Sequence, residues 1–178
     1  TKITPFKGLE AGCLCQLDDS RGKGIGIGYL NPHSLITLRL LTRQTDIAIN
    51  AAWLSKRLQA ALTLRERCFD QPYYRWVYGD ADGLPGLVID RFADNVVVQL
   101  NTAGMEQLKE PLLAAIDGVL SPRAVLLRCD SGARVADGLD TYVEVAKGEW
   151  PANLTLQENG VQFQIPGQDG QKTGWFYD

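Results

Sequence analysis

The sequence predicts an α+β chain of two units: a small β-barrel closed by a helix, then a layer ordered strand, strand, helix, strand, strand. Three observations carry this. Between Gly12 and Arg43, short β-prone runs are cut by clusters of turn residues. Between Asn50 and Cys68, apolar residues recur at helical spacing. From Leu87 onward, two strand-like runs, one helical run and further strand-like runs follow in order.

In the first unit the runs are Cys13 to Leu17, Gly24 to Leu30 and Leu35 to Leu41, separated by Asp18-Asp19-Ser20-Arg21-Gly22 and Asn31-Pro32-His33-Ser34. In the third run Ile36, Leu38 and Leu40 alternate with Thr37, Arg39 and Leu41, so Thr37 and Arg39 are expected to face away from the core. The glycines of Gly22-Lys23-Gly24-Ile25-Gly26-Ile27-Gly28 look superficially like a dinucleotide loop, but no βαβ frame or following helix accompanies them. They predict a strand that twists or is closely approached by another backbone.

Asn50 is a candidate N-cap for a helix to about Cys68, with Trp53, Leu54, Arg57, Leu58, Ala61, Leu62 and Arg65 on or beside one stripe. Asp70-Gln71-Pro72 stops it, which places a boundary after residue 70. The second unit, residues 71–166, begins with Tyr74 to Tyr78 and a turn-rich stretch from Gly79 to Gly86. A hairpin of Leu87 to Arg91 and Val96 to Leu100 comes next. Leu108, Leu112, Leu113, Ile116 and Leu120 keep helical spacing, and Pro111 shifts the regular part of that helix downstream. Ala124 to Arg128 is a third strand, and Leu154 to Ile165, turning at Glu158-Asn159-Gly160, is a final pair.

At 178 residues and 45% hydrophobic content, the chain is long and apolar enough for one compact domain or two small ones. No run approaches the roughly 20 apolar residues of a membrane helix, and the start from Thr1 lacks a signal-peptide pattern. Because residue 1 is not Met, the native N-terminus is expected upstream. Cys13, Cys15, Cys68 and Cys129 are irregularly spaced and His33 is the one histidine, so the expectation is no metal and free buried thiols in a cytoplasmic protein. Asp80, Asp82 and Gly83 suggest a calcium loop, but Leu84-Pro85 and Arg91 stand where ligands are needed; carboxylates bonding turn N–H groups is the preferred reading. The net charge of −3 hides an asymmetry: residues 1–70 hold ten Lys/Arg against six Asp/Glu, and the remainder eight against fifteen. A basic half of this kind suits a polyanionic partner.

The stretch from Tyr74 to Arg91, reading Tyr74-Arg75-Trp76-Val77-Tyr78-Gly79-Asp80-Ala81-Asp82-Gly83-Leu84-Pro85-Gly86-Leu87-Val88-Ile89-Asp90-Arg91, resembles the central domain of bacterial large-subunit rRNA cytosine-5 methyltransferases that carry an N-terminal PUA domain. Gly28-Tyr29-Leu30-Asn31-Pro32-His33-Ser34 resembles that family's PUA signature, and Gly170-Gln171-Lys172-Thr173-Gly174-Trp175-Phe176-Tyr177-Asp178 resembles its entry into a Rossmann-like methyltransferase domain. The family pattern is only partly kept from Arg128 to Arg134. The resemblance implies three parts: a PUA-like RNA-binding barrel at 1–70 lacking its first strand, a β-β-α-β-β domain at 71–166, and an entry segment at 167–178 for a catalytic domain lying beyond Asp178. The implied cofactor is S-adenosylmethionine, with Gln171, Lys172 and Thr173 at the lip of its site or in a connecting turn. The implied partner is 23S rRNA, with no membrane; oligomeric state stays open.

Cytosine C5 is too weak a nucleophile to attack a methyl sulfonium unaided, so such an enzyme adds a thiolate to C6 and later removes the C5 proton. None of the four cysteines sits where that thiolate is expected, so the 178-residue piece by itself is expected to be inactive. For RNA the candidates are Arg21, Lys23, Asn31, His33, Arg39 and Arg43, which together offer cations for phosphates and an amide, an imidazole and guanidinium forks for base edges. Two other readings stay open: a stand-alone RNA-binding or ribosome-assembly module, and an rRNA methyltransferase with a different target base.

Overall fold

The computed structural model of the chain describes residues 8–158 and 160–167. Its first element group is an antiparallel sheet, β1 (Cys13–Asp18), β2 (Gly24–Leu30) and β3 (Leu38–Thr42), in the order β1-β2-β3. The β1–β2 turn is closed by Asp19, whose Oδ1 accepts from the backbone N–H of Arg21 (2.8 Å) and Lys23 (2.9 Å). The glycine run lies in β2, where a Cβ on Gly26 would meet the Thr42 carbonyl oxygen at 2.2 Å and one on Gly28 the Arg39 carbonyl oxygen at 2.3 Å. The glycines therefore admit a neighbouring backbone, as the absence of a βαβ frame predicts. Among the described residues these three strands form an open sheet rather than a closed barrel.

Helix α1 (Ala51–Cys68) starts at Asn50, whose side chain accepts from the Trp53 N–H at 3.0 Å. It buries Trp53, Leu54, Leu58, Ala61 and Leu62, the predicted stripe. Its destination differs from the expectation. Instead of closing the first sheet, it packs along α3 (Lys109–Leu120) and on β4 (Tyr73–Tyr78), where the buried Trp76 indole donates to the Leu58 carbonyl at 3.0 Å. A stripe shows that a helix has a buried face; it does not show which surface covers that face.

The second sheet has five strands in the order β4-β5-β6-β7-β8: β4, β5 (Leu87–Phe92), β6 (Asn95–Leu100), β7 (Ala124–Cys129) and β8 (Tyr142–Lys147). β6 and β7 are parallel, joined across one face by α2 (Ala103–Gln107) and α3. Pro111 falls in the first turn of α3, where its missing N–H costs no helical bond. The expected final pair does exist, as β9 (Asn153–Glu158) and β10 (Val161–Pro166), but it forms a separate two-stranded sheet. The fifth place is taken by β8, which follows the short helix α4 (Gly132–Ala136). The sequence gives little warning of β8, because Tyr-Val-Glu-Val-Ala-Lys is a half-exposed edge strand without an apolar run.

The main core fills the helical side of this sheet and continues without a break into Tyr29 and Leu41 of the first sheet. On the opposite side Phe92, Val97 and Leu126 are covered by Leu154, Leu156 and Ile165 of the β9–β10 hairpin. Truncating a fully buried leucine such as Leu58 in the main core to alanine costs about 2–5 kcal/mol.

Candidate functional site

The six residues offered by the sequence fall into two groups at opposite ends of the three-stranded sheet. Arg21 and Lys23 stand on the β1–β2 turn and Arg43 just beyond β3, all exposed. Asn31 and His33 lie past the far end of β2, and Arg39 pairs there opposite Tyr29. The seven residues of β2 separate Lys23 from Asn31, roughly 25 Å. Arg21 lies 3.9 Å from Asp19 with 89% of its side chain exposed, a pairing too wet to hold it.

Asn31 leaves the predicted contact set. It is 3% exposed, its Nδ2 donates to the Asp137 carbonyl (2.9 Å), and its Oδ1 accepts from the His33 N–H (3.0 Å). Both ends of the amide are taken, so Asn31 positions the loop that carries the exposed His33.

That anchor belongs to a buried polar seam joining the two sheets. The Tyr29 hydroxyl donates to the Pro85 carbonyl (2.7 Å) and shares a 2.9 Å bond with Thr102 Oγ1. Its ring lies against Gly104, where an added Cβ would fall 2.0 Å from Cγ. Asp137 Oδ2 accepts from the Ala103 N–H at 2.8 Å. Nearby, Arg134 is 3% exposed and donates to the Leu100 carbonyl (2.8 Å), the Asp140 carbonyl (2.5 Å) and Glu106 Oε2 (2.6 Å), with its guanidinium over the Tyr142 ring. Burial pushes the Tyr29 hydroxyl up to about 12 and raises Tyr142 as well. Nothing in the sequence singles out Tyr29 as a joint or Arg134 as a buried cation; the periodicities report faces, and these polar atoms meet their partners across long sequence separations.

The 79–86 stretch is held as a turn. Asp82 takes a bidentate pair from Arg65 (2.6 and 2.8 Å) and the Tyr78 N–H (2.6 Å), so its carboxylate bonds the local backbone as expected. Asp90, fully buried, accepts from Arg75 at 2.9 Å.

The four thiols are free, but only Cys129 is buried; Cys13 and Cys15 are half-buried and Cys68 is exposed, against the expectation of four buried thiols. Burial raises the Cys129 thiol, and burial followed by Cys13 raises Cys15, which disfavours the thiolate at both. Among the described residues, no three His, Cys, Asp or Glu side chains converge as a metal site, and no helix is long and apolar enough to cross a membrane. The glycine run forms the interior of β2 and no dinucleotide-binding loop. Gln171, Lys172 and Thr173 lie outside the described residues.

Comparison with known proteins adds a second line of information. A family model described as a PUA-like domain matches residues 2–43, the three-stranded sheet and the segment before it. The chain is 35% identical over 99% of its length to the ribosomal RNA large subunit methyltransferase I of Alteromonas mediterranea, covering 45% of that protein. It is 36% identical over 90% of its length to the protein of the same name from Yersinia pestis, covering 41% of it. The chain thus spans less than half the length of these relatives. Among solved structures, one from Streptococcus mutans assigned as a SAM-dependent methyltransferase superposes with a TM-score of 0.79 at 21% identity, over 95% of this chain and 44% of that one. Another, assigned as a methyltransferase and crystallised with SAH, gives 0.78 at 20% identity, over 96% and 44%. At such identities these two report the fold alone.

Proposed function

We propose that the chain is the RNA-docking and positioning part of an S-adenosylmethionine-dependent methyltransferase acting on cytosine C5 in 23S rRNA. The observation that carries this reading is the alignment over 99% of the chain with a large-subunit rRNA methyltransferase, which spans both sheets and the seam between them. The first sheet offers the cations, and the seam holds that sheet at a fixed attitude to the second one. Docked RNA is thereby presented at a set distance from whatever follows the second unit.

In this reading residues 1–70 supply the RNA-binding strands, 71–166 the rigid spacer, and 167–178 the entry to the catalytic domain. S-adenosylmethionine is bound mainly by that further domain, with Gln171, Lys172 and Thr173 at its lip. The donor supplies the methyl group; the residues described here bind and orient RNA. The raised thiols of Cys15 and Cys129 accord with a nucleophile located elsewhere in the whole protein. The 178-residue chain alone binds RNA and transfers no methyl group.

The test supplies the intact gene product with isotopically labelled S-adenosylmethionine and unmodified 23S rRNA, followed by nucleoside mass spectrometry. The expected product is 5-methylcytidine. Label in another nucleoside would move the target base, and RNA binding without any transfer would point to an assembly module.

A further inference from the structure

Two cavities of the molecule share a wall. One, about 360 Å³, lies between the β2–β3 loop, the 79–82 turn and α4, and is lined by Leu35, Ile36 and Arg39 on the first side and by Asp80, Gly86 and Asn101 on the other. The second, about 290 Å³, shares Asp80, Gly86 and Asn101 and continues to Tyr78 and Val88. Together they make one groove that runs from the first sheet to the edge of the second.

The side chains along it have a consistent chemistry. Among the described residues Arg39 takes part in none of the ion pairs, so its guanidinium is available to a phosphate. Leu35 is fully exposed at 105% and Ile36 is 54% exposed, which leaves an apolar lip in water beside that cation. At the far end Tyr78 is 58% exposed, with the Arg75 guanidinium 5.3 Å from its ring centroid. Between them, Asn101 has its Oδ1 engaged by the Ser131 hydroxyl at 2.5 Å, which orients its NH2 group as a donor. Asp80, exposed on the shared wall, repels phosphates and accepts from exocyclic amino groups.

We infer that this groove takes unpaired RNA nucleotides, bases inward, with Arg39 on the backbone and Tyr78 as a stacking platform. An A-form duplex keeps its bases paired and stacked, so it cannot fill a groove of this size and lining; splayed-out nucleotides can. The acidic shared wall selects the same orientation, since it excludes phosphates and welcomes base edges. The apolar lip suits contact with a base at the mouth, as apolar side chains do where strands are unstacked. This inference rests on the RNA-docking reading above and specifies which form of RNA the site between the two sheets accepts.

The test measures fluorescence anisotropy of the chain with a short labelled oligoribonucleotide, single-stranded or annealed to its complement. The expected wild-type preference is for the single strand. Tyr78→Ala, at an exposed position where folding is preserved, should weaken single-strand binding roughly tenfold and leave duplex binding unchanged. The pair Leu35→Ser and Ile36→Ser should shift affinity in the same direction. The pair Arg21→Gln and Lys23→Gln, distant from the groove, should weaken both probes alike. If the turn variants lose affinity while the Tyr78 and Leu35/Ile36 variants match wild type, or lose both probes equally, the groove is refuted and RNA docking stands. Wild type that binds neither probe at low salt overturns the docking reading and the groove with it.

Discussion

The seam between the sheets and the turn-bearing end of the first sheet lie at opposite ends of β2, and they use polar residues in opposite ways. In the seam Tyr29, Asn31 and Asp137 are buried, and each named contact is answered by a partner on another element, with Arg134 buried beside them in the second unit. At the turn, Arg21, Lys23 and Arg43 stand in water. Buried polar groups with fixed partners specify geometry, because misplacing one leaves a desolvated group without a bond. Exposed cations specify nothing about the fold and remain free for an anion. The lesson is that side-chain type alone does not separate a contact residue from a joint; burial does.

The sharpest break in this comparison comes from Arg134. Arg134→Ala removes the cation from Glu106 and empties three bonds beside the seam, to Leu100, Asp140 and Glu106, and is expected to cost about 3 kcal/mol in urea unfolding. Neutralising Arg21 and Lys23 should move the same measurement by no more than about 0.5 kcal/mol. An Arg134 variant as stable as wild type would show that the buried polar contacts beside the seam do not specify the fold of the second unit.

A smaller effect separates two residues only two positions apart. Asn31→Ala leaves the Asp137 carbonyl and the His33 N–H without their partner and is expected to cost about 1–3 kcal/mol, whereas the exposed His33→Ala should be near neutral. Equal costs would show that the loop is not anchored through Asn31.

A third effect is confined to alkaline pH. The folded Tyr29 hydroxyl sits at about 12 against an ordinary 10, so the folded state holds its proton longer than the unfolded chain does. Its contribution is fully present below pH 10 and is lost as pH rises toward 12. Urea melts across that window should show wild-type stability falling, and Tyr29→Phe falling less steeply. Tyr142 and Tyr74, also raised, supply the part that persists. Parallel curves would mean that Tyr29 is not the group titrating.

Much of the architecture was legible in the sequence, for local reasons. Asn50 capped its helix and the glycines of β2 announced a close backbone, whereas the alternation read over 35–41 did not hold: β3 begins only at Leu38, Ile36 is exposed, and Leu41, on the face expected to point outward, is the residue that reaches the core. What escaped was non-local. The buried face of α1 could be read from its stripe, while its partner, α3, lies some fifty residues on. β8 escaped because edge strands need no apolar run, and the β9–β10 pair looked like sheet members because strand propensity carries no information about which sheet is joined. For the candidate site, residue chemistry offered Arg21, Lys23, Asn31, His33, Arg39 and Arg43 as RNA contacts. It could not foresee that Asn31 is consumed by Asp137, a contact across more than a hundred residues.

The salt dependence of RNA binding tests the central claim most directly. With an rRNA fragment titrated across a range of salt, Arg39→Gln combined with Arg43→Gln should weaken binding at low salt and flatten the plot of log affinity against log salt by about 1.5, since each lost phosphate contact removes ~0.7–0.9 from its slope. An unchanged slope and affinity in that double variant would contradict the account, because Arg39 and Arg43 would then have no part in holding RNA.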